Sequence, residues 1–154
     1  MTSCRDFLLD VNVLIALIDP AHVGHDAAHR WFEAEGSRNW STCPLTENGV
    51  VRIVGHSKYP NSPGSPAAVA AIVARLRALP GHVFWPDDIS LVGAEHVDPT
   101  QILTSGQVTD SYLLALAVAH GGRLATFDRR LSTKAVRRGK AGLRVIDGCG
   151  AHDK

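Results

Sequence analysis

Residues 7–18 read Phe-Leu-Leu-Asp-Val-Asn-Val-Leu-Ile-Ala-Leu-Ile, two apolar stretches separated by an aspartate. The first stretch, Phe7–Leu9, is typical of a short buried strand. The second, Val11–Ile18, is typical of a short buried helix that ends near Pro20. A strand that passes directly into a helix is the start of a parallel α/β arrangement, and ligands bind such folds beyond the carboxyl ends of the strands. Asp10 lies at that point of the chain.

The same alternation of strand and helix continues to the C-terminus. Besides the first pair, we predict strands at 39–42, 82–85, 123–126 and 143–146, and helices at 25–35, 44–54, 67–79 and 109–120. Gly36 follows the second helix, where a C-cap belongs. We predict a loop at 59–66, one short helix within 87–107, and a turn or helix start at Asp128. The pattern predicts a single α/β domain over residues 1–154, with a mainly parallel central sheet flanked by helices.

The composition is that of an ordinary globular protein, with 45% hydrophobic and 20% charged residues and a net charge of +1. Seven of the sixteen Lys and Arg fall within 129–144, a segment without acids, which is either a phosphate-binding footprint or a solvated surface. Three widely spaced cysteines, Cys4, Cys43 and Cys149, fit neither a disulfide framework nor a Cys-based zinc site and predict reduced thiols in the cytoplasm. No signal peptide is visible, and no apolar run is long enough to span a membrane.

Four acids fall where the carboxyl edge of the sheet is predicted. They are Asp10, Glu47, Asp110 and Asp128. Two of them follow strands, and the other two lie in first turns of helices, which begin at the same edge. Carboxylates that share a pocket either take up protons or recruit a cation, and oxygen ligands suit Mg²⁺ or Mn²⁺. Such a metal activates water and neutralises charge on a scissile phosphate, so the pattern indicates phosphodiester hydrolysis.

Each acid also has a purely structural interpretation. Asp10, Asp110 and Asp128 occupy positions where aspartate is a good N-cap or first-turn residue of a helix. Glu47 could be half of a capping box with Thr46 or Pro44 nearby. From the residues alone, both interpretations stay open.

Four segments carry a resemblance to a known family. They are FLLDVNVLIAL at 7–17, PLTENGVVRI at 44–53, VTDSYLLALA at 108–117 and LATFDRRL at 124–131. In this order and spacing they resemble the PIN-domain ribonucleases, specifically the VapC-type toxins of bacterial toxin–antitoxin pairs. The resemblance covers nearly the whole chain. It departs from the usual pattern at Val11, where the family has Thr.

The resemblance implies an Mg²⁺- or Mn²⁺-dependent endoribonuclease whose four acids hold the metal and which leaves 5′-phosphate and 3′-hydroxyl ends. It implies that Asn12 and Thr126 support that site by hydrogen bonding. It also implies a homodimer, a cognate antitoxin as partner, and transfer or ribosomal RNA as substrate. A catalytically inactive PIN-like interaction module and a receiver-like phosphate-binding domain are the alternatives.

Further residues are candidates for contacts with RNA or with a partner. Arg52, Lys58, Arg129 and Arg130 follow the acids in sequence and could contact RNA phosphates, or they are plain surface charges. Three aromatic residues could stack on bases or pack in the core: Trp31, Phe32 and Trp40. A groove for an antitoxin helix is expected from Val13, Leu14, Leu17, Trp31 and Phe32.

The first histidines imitate a zinc-binding helix. His25 and His29 are four residues apart and so share one helix face, with His22 just before them. The spacing resembles a metalloprotease motif, but Asp26 stands where that motif has Glu and no third ligand is evident. Capping, packing, or proximity to RNA or a partner is the alternative role.

Overall fold

The computed structural model describes residues 6–148 and contains a five-stranded, fully parallel sheet. The strands are β1 (Phe7–Leu9), β2 (Trp40–Thr42), β3 (His82–Phe84), β4 (Arg123–Thr126) and β5 (Leu143–Val145). Their order across the sheet is β3-β2-β1-β4-β5, so β1 is central. In register, Phe7 pairs with Trp40 on one side and with Arg123 on the other. The predicted parallel α/β fold is confirmed.

Five helices connect these strands. They are α1 (Val11–Ile18), α2 (His25–Ala34), α3 (Pro44–Val54), α4 (Pro66–Arg77) and α5 (Gln107–Ala119). Two short 3₁₀ turns, Gly36–Arg38 and Pro99–Gln101, complete the regular structure, and the second is the short helix expected within 87–107. Within residues 6–148, no helix combines the length and the apolar character needed to cross a membrane.

The central strand is buried on both faces, which explains its unbroken apolar sequence. Phe7 and Leu9 pack into a core formed mainly with α1 to α4, whereas Leu8 packs into a second core formed mainly with α5. Successive side chains of a strand point to opposite faces, so three apolar residues in a row serve two cores. The central strand is thereby buried between two cores, and the acids lie at the carboxyl edge of the sheet, outside both.

The start of α5 and the role of Gly36 differ from the sequence-based predictions. α5 begins at Gln107, two residues before the predicted start. Gly36 is not a C-cap: α2 ends at Ala34, and a Cβ on Gly36 would lie 2.6 Å from the Trp31 ring, so close packing accounts for this glycine. At Asp128 the structure has a turn, the first of the two alternatives predicted there, with the Arg130 backbone N–H donating to Asp128 Oδ1 at 2.9 Å.

Cys43 is the cysteine that falls inside the described range, and it is a buried free thiol. Burial raises the pKa of the Cys43 thiol to about 11, so the group stays protonated at neutral pH. Cys4 and Cys149 lie outside the described residues.

Candidate metal centre

Asp10 links the end of β1 to the start of α1 and is only 7% exposed. Its Oδ1 accepts a hydrogen bond from the Val11 backbone N–H at 2.7 Å. Its Oδ2 accepts one from the Thr126 hydroxyl at 2.8 Å. The helix-capping interpretation of Asp10 therefore holds, and it fixes this carboxylate at the carboxyl edge of the sheet.

The hydroxyl of Thr126, the last residue of β4, makes three hydrogen bonds at the carboxyl edge. Its hydroxyl oxygen accepts from Asn12 Nδ2 at 3.2 Å and from the Asp128 backbone N–H at 3.1 Å, while its proton goes to Asp10. Asn12 is held in turn, because its Oδ1 accepts from the Phe127 backbone N–H at 3.3 Å. Asn12 and Thr126 thus lie beside Asp10, where their hydrogen bonds orient its carboxylate.

Asp110, in the first turn of α5, shares this electrostatic environment. Burial, followed by the charges of Asp10 and Asp128, raises the pKa of Asp110 to about 6. The pKa of Asp10 is raised as well, first by burial and also by the charge of Asp128, against the hydrogen bonds from Thr126 and Val11. The charge of Asp128 thus acts on both Asp10 and Asp110, and the charge of Asp10 acts on Asp110, because a nearby like charge disfavours ionisation. The three aspartates are within electrostatic reach of one another at the carboxyl edge of the sheet.

Glu47 lies in the first turn of α3 but is held by other partners. Its Oε2 accepts from the Thr42 hydroxyl at 2.6 Å, and its Oε1 pairs with Arg77 Nη1 at 3.2 Å. The charges that raise the pKa of Asp10 and Asp110 are those of aspartates, without a contribution from Glu47. The capping-box alternative for Glu47 is wrong, since Cys43 and Thr46 form that box.

Two residues that position Glu47 could not be predicted from sequence spacing, because they are far from it along the chain. Arg77 is 30 residues away in the chain, and His82 Nε2 lies 2.7 Å from the Thr42 hydroxyl that binds Glu47. Because the Thr42 proton goes to Glu47, His82 supplies the proton of the second hydrogen bond. The pKa of His82 is lowered, first by burial and then by the charge of Arg77.

The carboxylates supply the right donors for a hard divalent cation without forming a closed cage. Within residues 6–148, no three His, Cys, Asp or Glu side chains are grouped closely enough to hold a metal ion. Asp110 makes no side-chain hydrogen bond in that part of the chain, so its oxygens stay open to a ligand. An Mg²⁺ or Mn²⁺ ion that keeps several waters fits an open set of this kind.

A cavity of about 580 Å³ opens beside Asp128, and neither Asp10 nor Asp110 lines it. Asn12, His22, Phe127, Asp128 and Arg130 are among its lining residues. It combines an aromatic ring, polar groups and a positive charge next to the acidic edge. Such a lining suits part of a nucleic-acid strand.

Of the four basic residues predicted to contact RNA phosphates, two line the cavity and two do not. Arg129 and Arg130 line the cavity, although Arg129 also pairs with Asp147 at 2.9 Å. Arg52 and Lys58 are exposed and do not line it. The basic segment 129–144 is therefore not one continuous footprint, because its later part packs near the amino end of β4, where Gly142 O accepts from Leu124 N.

The histidine cluster is a capping device. His25 Nδ1 lies 2.7 Å from Ala16 O, and His29 Nε2 lies 2.9 Å from Leu17 O, at carbonyls near the end of α1. His22 Nδ1 accepts from the Gly24 backbone N–H at 2.9 Å. These ring nitrogens are engaged with the backbone, so the zinc-helix interpretation is wrong and the capping alternative holds.

The expected antitoxin groove does not exist in this form, because its residues are in the core. Val13, Leu14, Leu17, Trp31 and Phe32 are all buried. They belong to the core that α1 and α2 form with the sheet, so these side chains are not open to a partner helix. Trp40 is fully buried too, so core packing, and not base stacking, is the role of the three aromatic residues.

Comparison with known proteins gives a consistent result. The family model described as "PIN domain" matches residues 7–137. Ribonuclease VapC39 of Mycobacterium tuberculosis is 46% identical over 128 residues, which are 83% of this chain and 92% of that protein. Ribonuclease VapC44 of the same organism is 43% identical over 84% of this chain and 90% of its own length. Ribonuclease VapC38 is 41% identical over 90% of this chain and 96% of its own length.

Proposed function

The chain belongs to the PIN-domain family, and from that premise we propose that it is a metal-dependent endoribonuclease that acts as the toxin of a toxin–antitoxin pair. The observation that carries the proposal is that the charges of Asp10 and Asp128, which lie on other elements, act on Asp110 in the first turn of α5. Burial and the charges of its two neighbours raise the pKa of Asp110 to about 6. A divalent cation relieves this repulsion, and perturbed carboxylates in one place are characteristic of functional sites. The relatives named as ribonucleases support the same activity.

In this proposal, Asp10, Asp110 and Asp128 would hold Mg²⁺ or Mn²⁺, and Glu47 would complete the acidic set from α3. The chemistry that such a metal would supply is an activated water and neutralisation of charge at the phosphorus. Thr126 and Asn12 keep the Asp10 carboxylate in a fixed orientation by the hydrogen bonds described above.

RNA reaches the acids by way of the adjacent cavity. Arg129 and Arg130 contact its phosphates, whereas Arg52 and Lys58, which do not line the cavity, do not share that role. Attack in line by water leaves 5′-phosphate and 3′-hydroxyl ends. The substrate is a transfer or ribosomal RNA, which the protein meets in the cytoplasm.

The assembly follows from the family. Residues 1–154 form one PIN domain, two copies form a homodimer, and a cognate antitoxin encoded beside the gene blocks the site. The family match over residues 7–137 supports the single domain. Because the apolar residues expected to form the groove are buried, the antitoxin binds a surface made by other side chains in this proposal.

The activity is tested on total cellular RNA. Antitoxin-free protein is incubated with RNA in Mg²⁺, in Mn²⁺ and in EDTA, and new 5′ ends are mapped by sequencing. We expect a few discrete ends that need the metal and carry a 5′-phosphate. No metal-dependent ends over a range of salt and pH would contradict the proposal and leave the inactive interaction module as the function.

A further inference from the structure

The cavity beside Asp128 is lined in part by His22, in the connection between α1 and α2. We propose that the cavity receives one unpaired base of the RNA, next to the phosphate that is cleaved, and that His22 is a specificity-determining residue that donates a hydrogen bond from Nε2 to an acceptor atom of this base. The inference rests on the proposed ribonuclease activity and adds to it a residue that recognises a base.

Hydrogen bonding determines which nitrogen of the His22 ring carries the proton. The Gly24 backbone N–H donates to His22 Nδ1 at 2.9 Å, so Nδ1 is the acceptor and the neutral ring has its proton on Nε2. In the described part of the chain, residues 6–148, no group accepts this proton. The ring therefore has one nitrogen held by the backbone and one N–H left for a ligand of the cavity.

The connection that carries His22 is held in place by a buried carboxylate. Asp19 is only 5% exposed, and its Oδ1 accepts from the Ala21 backbone N–H at 2.9 Å and from Asn61 Nδ2 at 2.7 Å. Its Oδ2 accepts from the Tyr59 hydroxyl. The His22 backbone N–H donates to the Asp19 carbonyl oxygen at 3.0 Å. A donor on a segment fixed in this way loses little freedom when it binds a ligand.

Two glycines lie against the aromatic ring of Phe127, which also lines the cavity. A Cβ on Gly148 would lie 2.9 Å from the Phe127 ring, so a side chain there would collide with the ring. A Cβ on Gly24 would lie 3.3 Å from His22 Nδ1 and 3.5 Å from Phe127 Cε2, so the two rings border the same glycine. An aromatic ring beside a hydrogen-bond donor is the combination with which proteins hold unstacked RNA bases.

The size and the position of the cavity fit a base at the site of cleavage. Its volume of about 580 Å³ lies within the range of small-ligand pockets, roughly 300–1,000 Å³. Asp128 lines the cavity and also acts by its charge on Asp10. Arg130 lines it too and offers a positive charge to a phosphate. A base held in the cavity therefore has its own phosphate next to the aspartates.

The test is an abasic scan of an RNA oligonucleotide that spans one mapped cleavage site. Each nucleotide that flanks the cleaved bond is replaced in turn by one without a base, and kcat and KM are measured with Mn²⁺. For wild type, we expect one position at which removal of the base raises KM. His22→Asn should raise KM for the intact RNA about 3- to 10-fold, the loss expected for one neutral hydrogen bond, with little change in kcat.

A double-mutant cycle between protein and RNA identifies the contact. If His22 binds the base, His22→Asn has no further effect on the RNA that lacks the base at the sensitive position. The asparagine keeps a side-chain oxygen that can accept from the Gly24 N–H, so the local turn is preserved. A variant that merely folds less well would lose equally on both RNAs.

His56→Asn is the matched control. His56 Nδ1 accepts from the Lys58 backbone N–H at 3.0 Å, the same local hydrogen bond as at His22. His56 is exposed and does not line the cavity. His56→Asn should leave KM unchanged for every oligonucleotide.

Two results would overturn the inference and leave the ribonuclease proposal intact. One is an equal effect of His22→Asn on intact and abasic RNA, and the other is a wild-type KM that does not respond to base removal on either side of the bond. Unchanged cleavage by His22→Asn together with weaker binding of the antitoxin would also overturn it and would assign the cavity to the antitoxin. If no RNA is cleaved under any metal condition, the ribonuclease proposal itself is wrong, and the base-binding role of His22 is wrong with it.

Discussion

Asp10 is held at the carboxyl edge by neutral donors, the Val11 N–H and the Thr126 hydroxyl, whereas Glu47 is held by a hydroxyl and a cation. Neutral donors orient a carboxylate and leave its charge available to an added metal ion. An arginine orients a carboxylate and neutralises it. Asp10 and Glu47 thus differ in the negative charge that they offer a metal ion. We call the region of Asp10, Asp110 and Asp128 the aspartate end of the edge and the region of Glu47 the Glu47 end, and the aspartate end has the charge available.

The largest expected difference between the two ends is in cleavage. Asp10→Asn should reduce metal-dependent RNA cleavage at least about 100-fold, since it removes a charged ligand of the metal that would stabilise the reacting phosphate. Glu47→Gln should reduce it only about tenfold, the size of effect typical of a supporting residue. Cleavage rates on one mapped RNA site give both values.

Glu33→Gln is the control for this pair, because it neutralises an exposed carboxylate on α2. It should cleave like wild type. An equal loss in Asp10→Asn and Glu47→Gln would erase the contrast between the two ends of the edge.

The next effect concerns the hydroxyls that position the acids. Thr126→Val removes one donated and two accepted hydrogen bonds in a fully buried position. We expect the free energy of unfolding to fall by about 2–4 kcal/mol and cleavage by about 10- to 100-fold. Chemical denaturation and the cleavage assay measure the two quantities.

Thr126→Ser keeps the hydroxyl and should recover most of the activity. Thr42→Val, the corresponding change at the Glu47 end, should reduce cleavage less than Thr126→Val. The reverse order would show that Glu47, and not Asp10, dominates the site.

A smaller effect is expected in the pH dependence of stability. The pKa of Asp110 rises from its ordinary value of 3.8 to about 6 in the folded protein. The folded state therefore holds this proton more tightly than the unfolded state does. The resulting stability is fully present below about pH 4, declines as pH rises towards 6, and stays lost above it.

The side chain of the Asp110→Asn variant cannot ionise, so the variant does not lose stability in this way as pH rises. Denaturation in EDTA should show that the variant gains stability over wild type between pH 4 and pH 7, with the gain level above that range. A difference between the two proteins that is the same at every pH would contradict the clustering of the three aspartates.

The smallest expected effect is on RNA binding. Arg130→Gln, beside the aspartate end, should lower the slope of log affinity against log salt by about one, because one phosphate contact is lost. Lys140→Gln is the control, since Lys140 is exposed and lies near the amino ends of β4 and β5. Equal slopes for Arg130→Gln and wild type would show that Arg130 does not contact an RNA phosphate.

The sequence was a good guide to the fold because its signals are local. The apolar run Phe7–Leu9 and the helix after it were predicted at the observed residues, since burial on both faces requires an unbroken apolar strand. The position of Asp10 followed from the same run, because a residue directly after a central parallel strand lies at the carboxyl edge.

The rest of the site depended on contacts between distant parts of the chain. The pairing of Glu47 with Arg77 joins two helices across a loop, and no spacing rule connects residues 30 positions apart. The prediction of an antitoxin groove was wrong for a related reason. An apolar helix face looks the same in sequence whether the sheet or a partner covers it, and here Leu14 and Trp31 pack in the core.

The most direct test of the aspartate centre is an anomalous difference map from crystals of the protein grown with Mn²⁺. We expect a manganese peak at bonding distance from carboxylate oxygens of Asp10 and Asp110, next to Asp128, while Glu47 remains paired with Arg77. No peak at saturating Mn²⁺, or a peak on Glu47 with the aspartates empty, would contradict the proposed metal centre.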